Sequence, residues 1–209
     1  MVERWDVITI GNVSRNRYWG ESDEKGLRAA MCTCTLVTGH GFRLLVDPSL
    51  EDADRMAAEL DRRTGLKMRD VTAVFVTHEH GDHHYGLRHF AKARWLAAPG
   101  VAAKINESSE YTREVEGVTG RVFEAVEVMP TPGHTPEHHS LLFECDGMRV
   151  VVAGDAVMTR DFWVHRQGHF NSVDFEEAAR TIEGLAGRVD IVAPGHDNYF
   201  LVSTAPRED

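Results

Sequence analysis

Short runs in which apolar and polar residues alternate recur along the chain, and glycine and proline turns separate them. This two-residue period is typical of β-strands with one buried face. Two pairs of runs flank tight turns, Gly39-His40-Gly41 and Asp146-Gly147, and therefore predict β-hairpins. The predicted strands cover residues 5–10, 32–38, 42–46, 71–76, 94–98, 121–129, 140–145, 148–153 and 189–193.

Two segments instead repeat their apolar residues at helical spacing. The first follows Ser49 and Asp52, which resemble a helix-capping pair, and ends at Gly65; the second covers residues 174–187 and begins at Asp174. Shorter helical pieces are predicted at 87–93 and after Pro99-Gly100. The remaining segments are loops at 11–26 and 158–170, an unassigned polar stretch at 106–120 and a polar tail after Thr204.

Length and composition narrow the class of protein. A chain of 209 residues that is 42% hydrophobic can bury one substantial core, so we predict a single domain over residues 1–209. The net charge of −10 argues against nucleic acid as a partner, and no apolar run is long enough for a membrane span. Three cysteines are too few for a disulfide framework, which favours a reducing cytoplasm. We expect Cys32 and Cys34 to be buried packing residues rather than metal ligands or redox groups.

A cluster of histidines and acids follows the predicted strand at residues 71–76. The segment Thr77-His78-Glu79-His80-Gly81-Asp82-His83-His84 places five candidate metal ligands within seven residues. His78 and His80 are two apart in extended chain and so project to the same side, and Gly81 permits a turn that returns Asp82 and His83 toward them. Imidazole and carboxylate together suit zinc, iron or manganese better than calcium or magnesium.

Three further strand ends carry the same chemistry. His134 follows Pro130-Thr131-Pro132-Gly133, Asp155 follows Gly154, and His196 follows Pro194-Gly195. Prolines stop a strand and glycines free the backbone to turn, so each residue is expected just beyond its strand. The sequence thus predicts one shared site at one edge of a layered sheet.

These motifs, in this order, resemble the metallo-β-lactamase fold superfamily over residues 47–196. The resemblance implies an α/β fold, a four-layer αββα sandwich with a metal site at one sheet edge. It implies two divalent metal ions, most often Zn²⁺, with iron or manganese as alternatives. Asp47, after its strand, matches an acidic position that orients a ligand, although a plain turn residue is an equal interpretation. By the resemblance His78, His80 and His134 hold the first metal, Asp82, His83 and His196 the second, and Asp155 bridges them.

The resemblance also implies hydrolysis of a small-molecule substrate by a hydroxide that bridges the two metals. Asp82 is the candidate catalytic residue, since it can pass a proton to the leaving group. The motifs look most like the lactonase and thioesterase branches, which predicts a small ester, thioester or lactone as substrate. Met158 stands where a homoserine lactonase has a tyrosine. A phosphodiesterase or nuclease, an iron-dependent redox enzyme with oxygen or persulfide chemistry, and a binding or structural protein stay open as alternatives.

The two predicted loops supply candidate substrate contacts. Arg17 and Tyr18 lie in the first loop, and Arg160, His165 and His169 lie in the second, which follows Asp155. Ordinary surface packing, or a homodimer interface in the case of the first loop, is the competing interpretation. His138 is expected to support the ligands rather than to bind metal, and His84 is expected to point away from the cluster.

Overall fold

Two mixed β-sheets form the centre of the structure, a computed structural model that describes residues 1–108 and 110–202. In these residues each sheet has six strands, and both sheets contain parallel and antiparallel neighbours. The first sheet runs, in spatial order, β1 (Val2–Thr9), β2 (Cys34–Gly39), β3 (Phe42–Val46), β4 (Ala73–Val76), β5 (Arg94–Ala97) and β6 (Glu116–Gly117). The second runs β12 (Phe200–Leu201), β11 (Ile191–Pro194), β10 (Met148–Gly154), β9 (His139–Cys145), β8 (Val126–Pro130) and β7 (Arg121–Val122).

The four α-helices of the described residues pack outside the sheets, and two of them begin at side-chain caps. They are α1 (Ala53–Thr64), α2 (Pro99–Glu107), α3 (Arg160–His165) and α4 (Phe175–Ala186). Asp52 caps α1 and Asp174 caps α4, each accepting a hydrogen bond from the backbone three residues on. Ser49, predicted as part of the first cap, instead shares a hydrogen bond with the hydroxyl of Thr9. Gly65 ends α1 in the left-handed conformation that glycine adopts without strain.

Alternation along the strands sorts the apolar side chains into three buried clusters. In β4, Phe75 faces the second sheet whereas Val74 faces α1 and α2; in β10, Val150 faces the first sheet whereas Val151 packs with Ile182 of α4. Each central strand is therefore buried on both sides, between a sheet and a helix layer. This arrangement confirms the predicted four-layer αββα sandwich.

Several local predictions were wrong. The strand predicted at 121–129 is a short hairpin, because Phe123 and Glu124 adopt positive φ and turn the chain between β7 and β8. The helix predicted at 87–93 is one 3-10 turn, Leu87–His89, and the loop predicted at 158–170 contains α3. Part of the unassigned stretch forms β6, and the predicted tail after Thr204 lies outside the described residues.

Strand direction explains why one edge carries the polar loops. β3 runs parallel to β4, and β10 runs parallel to β11, so the carboxyl ends of each pair lie together. These four ends lead directly into Asp47, Thr77, Asp155 and Gly195. No helix in residues 1–108 and 110–202 is both long and apolar enough to cross a membrane.

Candidate metal centre

Four strand ends deliver seven imidazole and carboxylate side chains to the same edge. β4 continues into His78, and a 3-10 turn at Gly81–His83 folds the chain back, while β10 and β11 lead to Asp155 and His196. Gly195 sits against Asp155, where a Cβ would lie 2.1 Å from Oδ1. The side chains form two groups, one of His78, His80, His134 and Asp155 and one of Asp82, His83 and His196, with the ligand atoms of each group within 4.8 Å of one another.

The first group brings three ring nitrogens against one carboxylate oxygen. His80 Nδ1 lies 3.1 Å from His78 Nε2 and 3.0 Å from His134 Nε2. Oδ2 of Asp155 lies 3.2 Å from His134 Nε2 and 3.7 Å from His78 Nε2. The predicted convergence of His78 and His80 is therefore present in the structure, and His134 completes the group from the other sheet.

The second group surrounds the other oxygen of Asp155. Oδ1 lies 3.1 Å from His83 Nε2 and 3.3 Å from His196 Nε2, and Asp82 Oδ2 lies 3.5 Å from the same His196 nitrogen. Asp155 thus divides its two oxygens between the two groups. Asp82 differs from the others because its side chain is 25% exposed, whereas Asp155 is 3% exposed.

Hydrogen bonds on the outer ring nitrogens fix which nitrogen of His83 and of His196 carries its proton. Asp47 Oδ2 lies 2.9 Å from His83 Nδ1, and an ionised carboxylate can only accept, so Nδ1 is the protonated nitrogen. His196 Nδ1 donates to the carbonyl oxygen of Asn12 at 3.0 Å. Both Nε2 atoms are consequently left with lone pairs that face the group.

Thr77 determines in the same way which ring nitrogen of His78 carries the proton. Its hydroxyl donates to Asp47 Oδ2 at 2.8 Å, which leaves the oxygen free to accept from His78 Nδ1 at 3.1 Å. The Thr77 backbone N–H also donates to Asp47 Oδ1, at 2.9 Å. Asp47 therefore accepts three hydrogen bonds, contacting His83 directly and His78 through Thr77, an arrangement compatible with the orienting role predicted for it.

The donor set fits divalent metal ions. At Zn–N distances of about 2.0–2.1 Å, ligand atoms at the corners of a tetrahedron lie roughly 3.3 Å apart, and the atom pairs given above are separated by 3.0 to 3.7 Å. His83 Nε2 and Asp155 Oδ1 are buried and have no hydrogen-bond partner although they are 3.1 Å apart. A cation shared by these two atoms would satisfy both of them.

The pKa directions agree with a site built for positive charge. Burial would raise the pKa of Asp155, but the charges of His196, His83 and His134 hold it well below its usual value. Burial lowers the pKa of His78 well below its usual value and that of His134 to about 4, so both rings are neutral at neutral pH. Burial also acts on His83 and His196, but the negative charge around them, including that of Asp155, raises the pKa of both rings, so a proton on either ring competes with a metal ion for its Nε2.

His138 lies behind the first group rather than in it. Its ring packs 5.0 Å from that of His78, and its Nδ1 donates to Thr131 in a chain that continues through Ser140 to the carbonyl of Ala153. The His138 ring is fully buried. It therefore packs against His78, and its supporting role stays a prediction.

A cavity of about 290 Å³ opens onto both groups. Its wall includes the groups' own His80, Asp82, Asp155 and His196, and its remaining lining residues are Val13, Ser14, Ala30, Met158, His169, Phe170 and Asn171. This volume is at the low end of the roughly 300–1,000 Å³ of ligand pockets. The site therefore suits a small molecule.

Of the five predicted substrate contacts, His169 lines this cavity and bonds to Asn171 through Nδ1. Tyr18 stacks on His165 at 4.1 Å and bonds to Gln167, and Arg17 pairs with Asp23, so these three side chains are engaged with one another or with their own loop.

Arg160, the fifth, begins α3, is exposed, and binds Asp197 through its backbone N–H. Sequence reasoning missed Ser14, Phe170 and Asn171 as cavity residues, because their placement depends on loop conformation and no local pattern marks it.

Two other predictions concern residues beside the site. Cys32 and Cys34 are both buried, as expected, and Cys32 donates to the carbonyl oxygen of Asp82 at 3.1 Å. Burial raises the pKa of the Cys32 thiol to about 12, which keeps it protonated. His84 turns away from the cluster and contacts Tyr111, in agreement with its expected direction.

Comparison with known proteins gives a consistent result. A family model described as the metallo-beta-lactamase superfamily matches residues 27–196. An N-acyl homoserine lactonase from a Bacillus species is 29% identical over 165 residues, which are 72% of this chain and 65% of that protein. A hydroxyacylglutathione hydrolase from Rhodopseudomonas palustris is 35% identical over 112 residues, or 52% of this chain and 41% of that one.

Among solved structures, a quorum-quenching N-acyl homoserine lactone hydrolase superposes with a TM-score of 0.73 at 23% identity, covering 94% of this chain and 93% of the other. At that identity the likeness establishes a shared fold. The aligned part of this chain spans just under two thirds of the Bacillus lactonase and less than half of the glutathione-ester hydrolase.

Proposed function

This chain belongs to the metallo-beta-lactamase superfamily, and we propose that it is a metal-dependent hydrolase of small lactones, esters or thioesters. The observation that carries the proposal is the pair of ligand groups that share the Asp155 carboxylate at the floor of a small cavity. Activity of this kind needs little more than a polarised carbonyl and an activated water, and both are supplied by metal ions held in an open site.

We assign two divalent ions, Zn²⁺ by preference, to the two groups. Imidazole nitrogen with carboxylate oxygen is a donor set that zinc favours, and the neutral tautomers fixed at the outer nitrogens leave the inner nitrogens free to bind. The residues assigned to the first ion are His78, His80 and His134, those assigned to the second are Asp82, His83 and His196, and Asp155 contacts both.

Bound ions would supply Lewis acidity and a lowered pKa for water at the site. The chain's own residues then orient the substrate and move protons. Asp82 is the candidate proton carrier, because its carboxylate lines the cavity and is the most exposed acid of the two groups. A carboxylate in that place can take a proton from the attacking water and return it to the leaving oxygen or sulfur.

The substrate class rests on the cavity and on the relatives. Its volume of about 290 Å³ admits a small acyl group, and Val13, Met158 and Phe170 give the wall apolar surface. The two relatives act, by their names, on a lactone and on a glutathione thioester. Met158 places a thioether where the lactonase branch has a phenol, so a hydroxyl contact from this position is absent in our proposal.

Metal analysis combined with a substrate panel tests the proposal. Protein loaded with zinc is assayed on N-acyl homoserine lactones, a hydroxyacyl thioester, 4-nitrophenyl acetate and bis(4-nitrophenyl) phosphate. We expect close to two metal ions per chain and turnover of at least one carboxylic ester, thioester or lactone. Iron with oxygen consumption would move the assignment to redox chemistry, and turnover restricted to the phosphodiester would move it to a nuclease-like enzyme.

Single substitutions distinguish a loss of the metal site from a general loss of protein stability. Asp155→Asn and His78→Ala should each lose metal and at least about a hundredfold in kcat/KM. Asp82→Asn tests the proton carrier, and full turnover with normal metal content would remove that role. His40→Ala is the matched control, since His40 lies exposed in the turn between β2 and β3. Metal-replete protein that hydrolyses nothing on the panel would refute the proposed function.

A further inference from the structure

One cation beside the cavity is without a carboxylate partner. The first loop contains Arg15 and Arg17, and Arg28 follows it. Arg17 pairs with Asp23, and Arg28 forms a two-oxygen contact with Glu21. Arg15 forms no salt bridge with any carboxylate in residues 1–108 and 110–202. Acidic residues outnumber basic ones in this protein, 33 to 23, so an arginine next to a small cavity without a carboxylate partner is a candidate for binding a ligand.

Contacts with the cavity wall hold Arg15 in place. Its guanidinium lies over the ring of Phe170, with Cζ 3.6 Å from the centroid, and its carbonyl oxygen is 3.4 Å from His169 Nε2. Phe170, His169 and the preceding residue, Ser14, all line the cavity. Arg15 is thus joined to the wall of the candidate site by both side chain and backbone.

The loop around Arg15 is anchored on both sides. Asn16, fully buried, donates to Asp161 at 3.0 Å, and the Ser14 carbonyl accepts from Leu27 N at 2.8 Å. Arg15 Nε is buried and has no hydrogen-bond partner. A buried donor without an acceptor costs stability, which is commonly tolerated where a ligand supplies the acceptor.

We propose that Arg15 binds a carboxylate on the substrate, so that the enzyme prefers acyl compounds that carry an anionic group at the end away from the scissile bond. This inference rests on the hydrolase function proposed above. A planar guanidinium matches a carboxylate with two parallel N–H donors, and a single cation balances a singly charged group. Phe170 beneath the guanidinium keeps its plane fixed and so lowers the entropy lost on binding.

The cavity sets the size of such a substrate. About 290 Å³ equals the liquid volume of roughly ten water molecules. A short dicarboxylic half-ester or half-thioester of four to six carbons is of this order. The corresponding hydrolysis breaks the acyl C–O or C–S bond, adds water across it, and yields a dicarboxylate with an alcohol or thiol.

A matched pair of chromogenic esters tests the proposal. Zinc-loaded enzyme is assayed on the 4-nitrophenyl half-ester of glutaric acid and on its neutral methyl ester, with the spontaneous rates subtracted. We expect Arg15→Met to raise KM for the half-ester by about tenfold or more, and to leave kcat/KM for the neutral ester within about twofold. The KM of Arg15→Lys for the half-ester should lie between those of the wild type and Arg15→Met, because lysine keeps the charge but loses the two-donor geometry.

The control removes the same charge from the same loop. Lys25→Met alters an exposed side chain and should change neither substrate. An equal loss on both esters in Arg15→Met would overturn the proposal, since it would mean that Arg15 only braces Phe170. Equal kcat/KM of the wild-type enzyme for the two esters would also overturn the proposal, although the hydrolase function would then stand.

A binding measurement keeps the test independent of turnover. Glutarate and propyl phosphate are titrated into the zinc-loaded protein by calorimetry, with Arg15→Met alongside. Weaker glutarate binding in the variant supports the proposal even if no ester is hydrolysed, a result that would count against the proposed function alone. Unchanged glutarate binding overturns it, and tighter binding of the phosphate overturns the assignment to carboxylates.

Discussion

Replacing Asp47 with asparagine isolates the role of a residue that lies outside both ligand groups. The backbone of Asp47 has φ 52°, a left-handed conformation that asparagine tolerates well, so the substitution adds no backbone strain. The two side chains have nearly the same shape. Only the hydrogen-bonding pattern and the charge change, which makes Asp47→Asn a test of the tautomer argument.

Neither orientation of the new amide satisfies all three donors. If its oxygen replaces Oδ2, the NH₂ group faces the backbone N–H of Thr77, which now donates to Oδ1 at 2.9 Å. If the NH₂ group replaces Oδ2, it faces the Thr77 hydroxyl and His83 Nδ1, and His83 must move its proton to Nε2, the atom that faces Asp155. An unsatisfied buried donor costs about 1–3 kcal/mol.

We therefore expect metal affinity at the Asp82, His83 and His196 group to fall by about 10–100-fold, the usual effect of losing a residue that orients a metal-bound histidine. The metal-free protein should also lose about 1–3 kcal/mol of unfolding free energy. Chelator competition gives the two zinc affinities, and urea unfolding in EDTA gives the stability.

Asp52→Asn is the control for this substitution, because it removes the same charge at the start of α1, where asparagine is an equally good cap. Both zinc affinities should then match the wild type. If Asp47→Asn also binds two zinc ions with unchanged affinity, the hydrogen bonds of Asp47 do not set the ligand tautomers, and the reasoning is refuted.

Four further predictions concern three individual residues and the removal of bound metal. Gly195→Ala should lose metal and activity at least about tenfold, because its Cβ would meet Asp155 Oδ1 at 2.1 Å; metal content checks this. Met158→Tyr should raise KM more for long acyl chains than for acetyl, since Met158 lines the cavity. EDTA should lower the unfolding free energy by about 2.7 kcal/mol for each bound ion, relative to protein with free metal at a hundred times the Kd of each site. Hydrogen bonds from the Arg149 side chain and backbone lower the pKa of Asp190 to about 2. The stabilisation of the folded protein by the ionised Asp190 is therefore complete above about pH 4 and is lost as the pH falls toward 2. Carbon-detected NMR titration of the wild type and of Arg149→Met measures the pKa of Asp190.

The gathering of the candidate ligand residues at one edge was predictable because the signal for it is local. They lie just beyond strand-like runs, and Asp82, His134, Asp155 and His196 each follow a glycine that lets the chain turn there. The alternation predicted individual strands, and the αββα order was what the family resemblance implied. His78, Asp155 and His196 lie at one edge because the strands before them share direction with a neighbour.

Loop conformation limited the rest of the prediction. Arg15 and Arg17 are equivalent in a local pattern, yet Arg17 pairs with Asp23 six residues away and Arg15 contacts Phe170 across 155 residues. The choice between them is made by long-range packing, such as the bond of Asn16 to Asp161. The turn at Phe123 and Glu124 is likewise absent from the alternation pattern, since neither residue type favours positive φ.

Hydrogen bonds link the two ligand groups more closely than their sequence motifs imply. Asp47 Oδ2 accepts from both His83, in the second group, and Thr77, whose oxygen accepts from His78 in the first. Protonating or replacing that one carboxylate disturbs a ligand in each group, and the direct bond to His83 makes the second group the more sensitive. The two zinc affinities in Asp47→Asn should therefore both fall, with the larger fall in the group that contains His83.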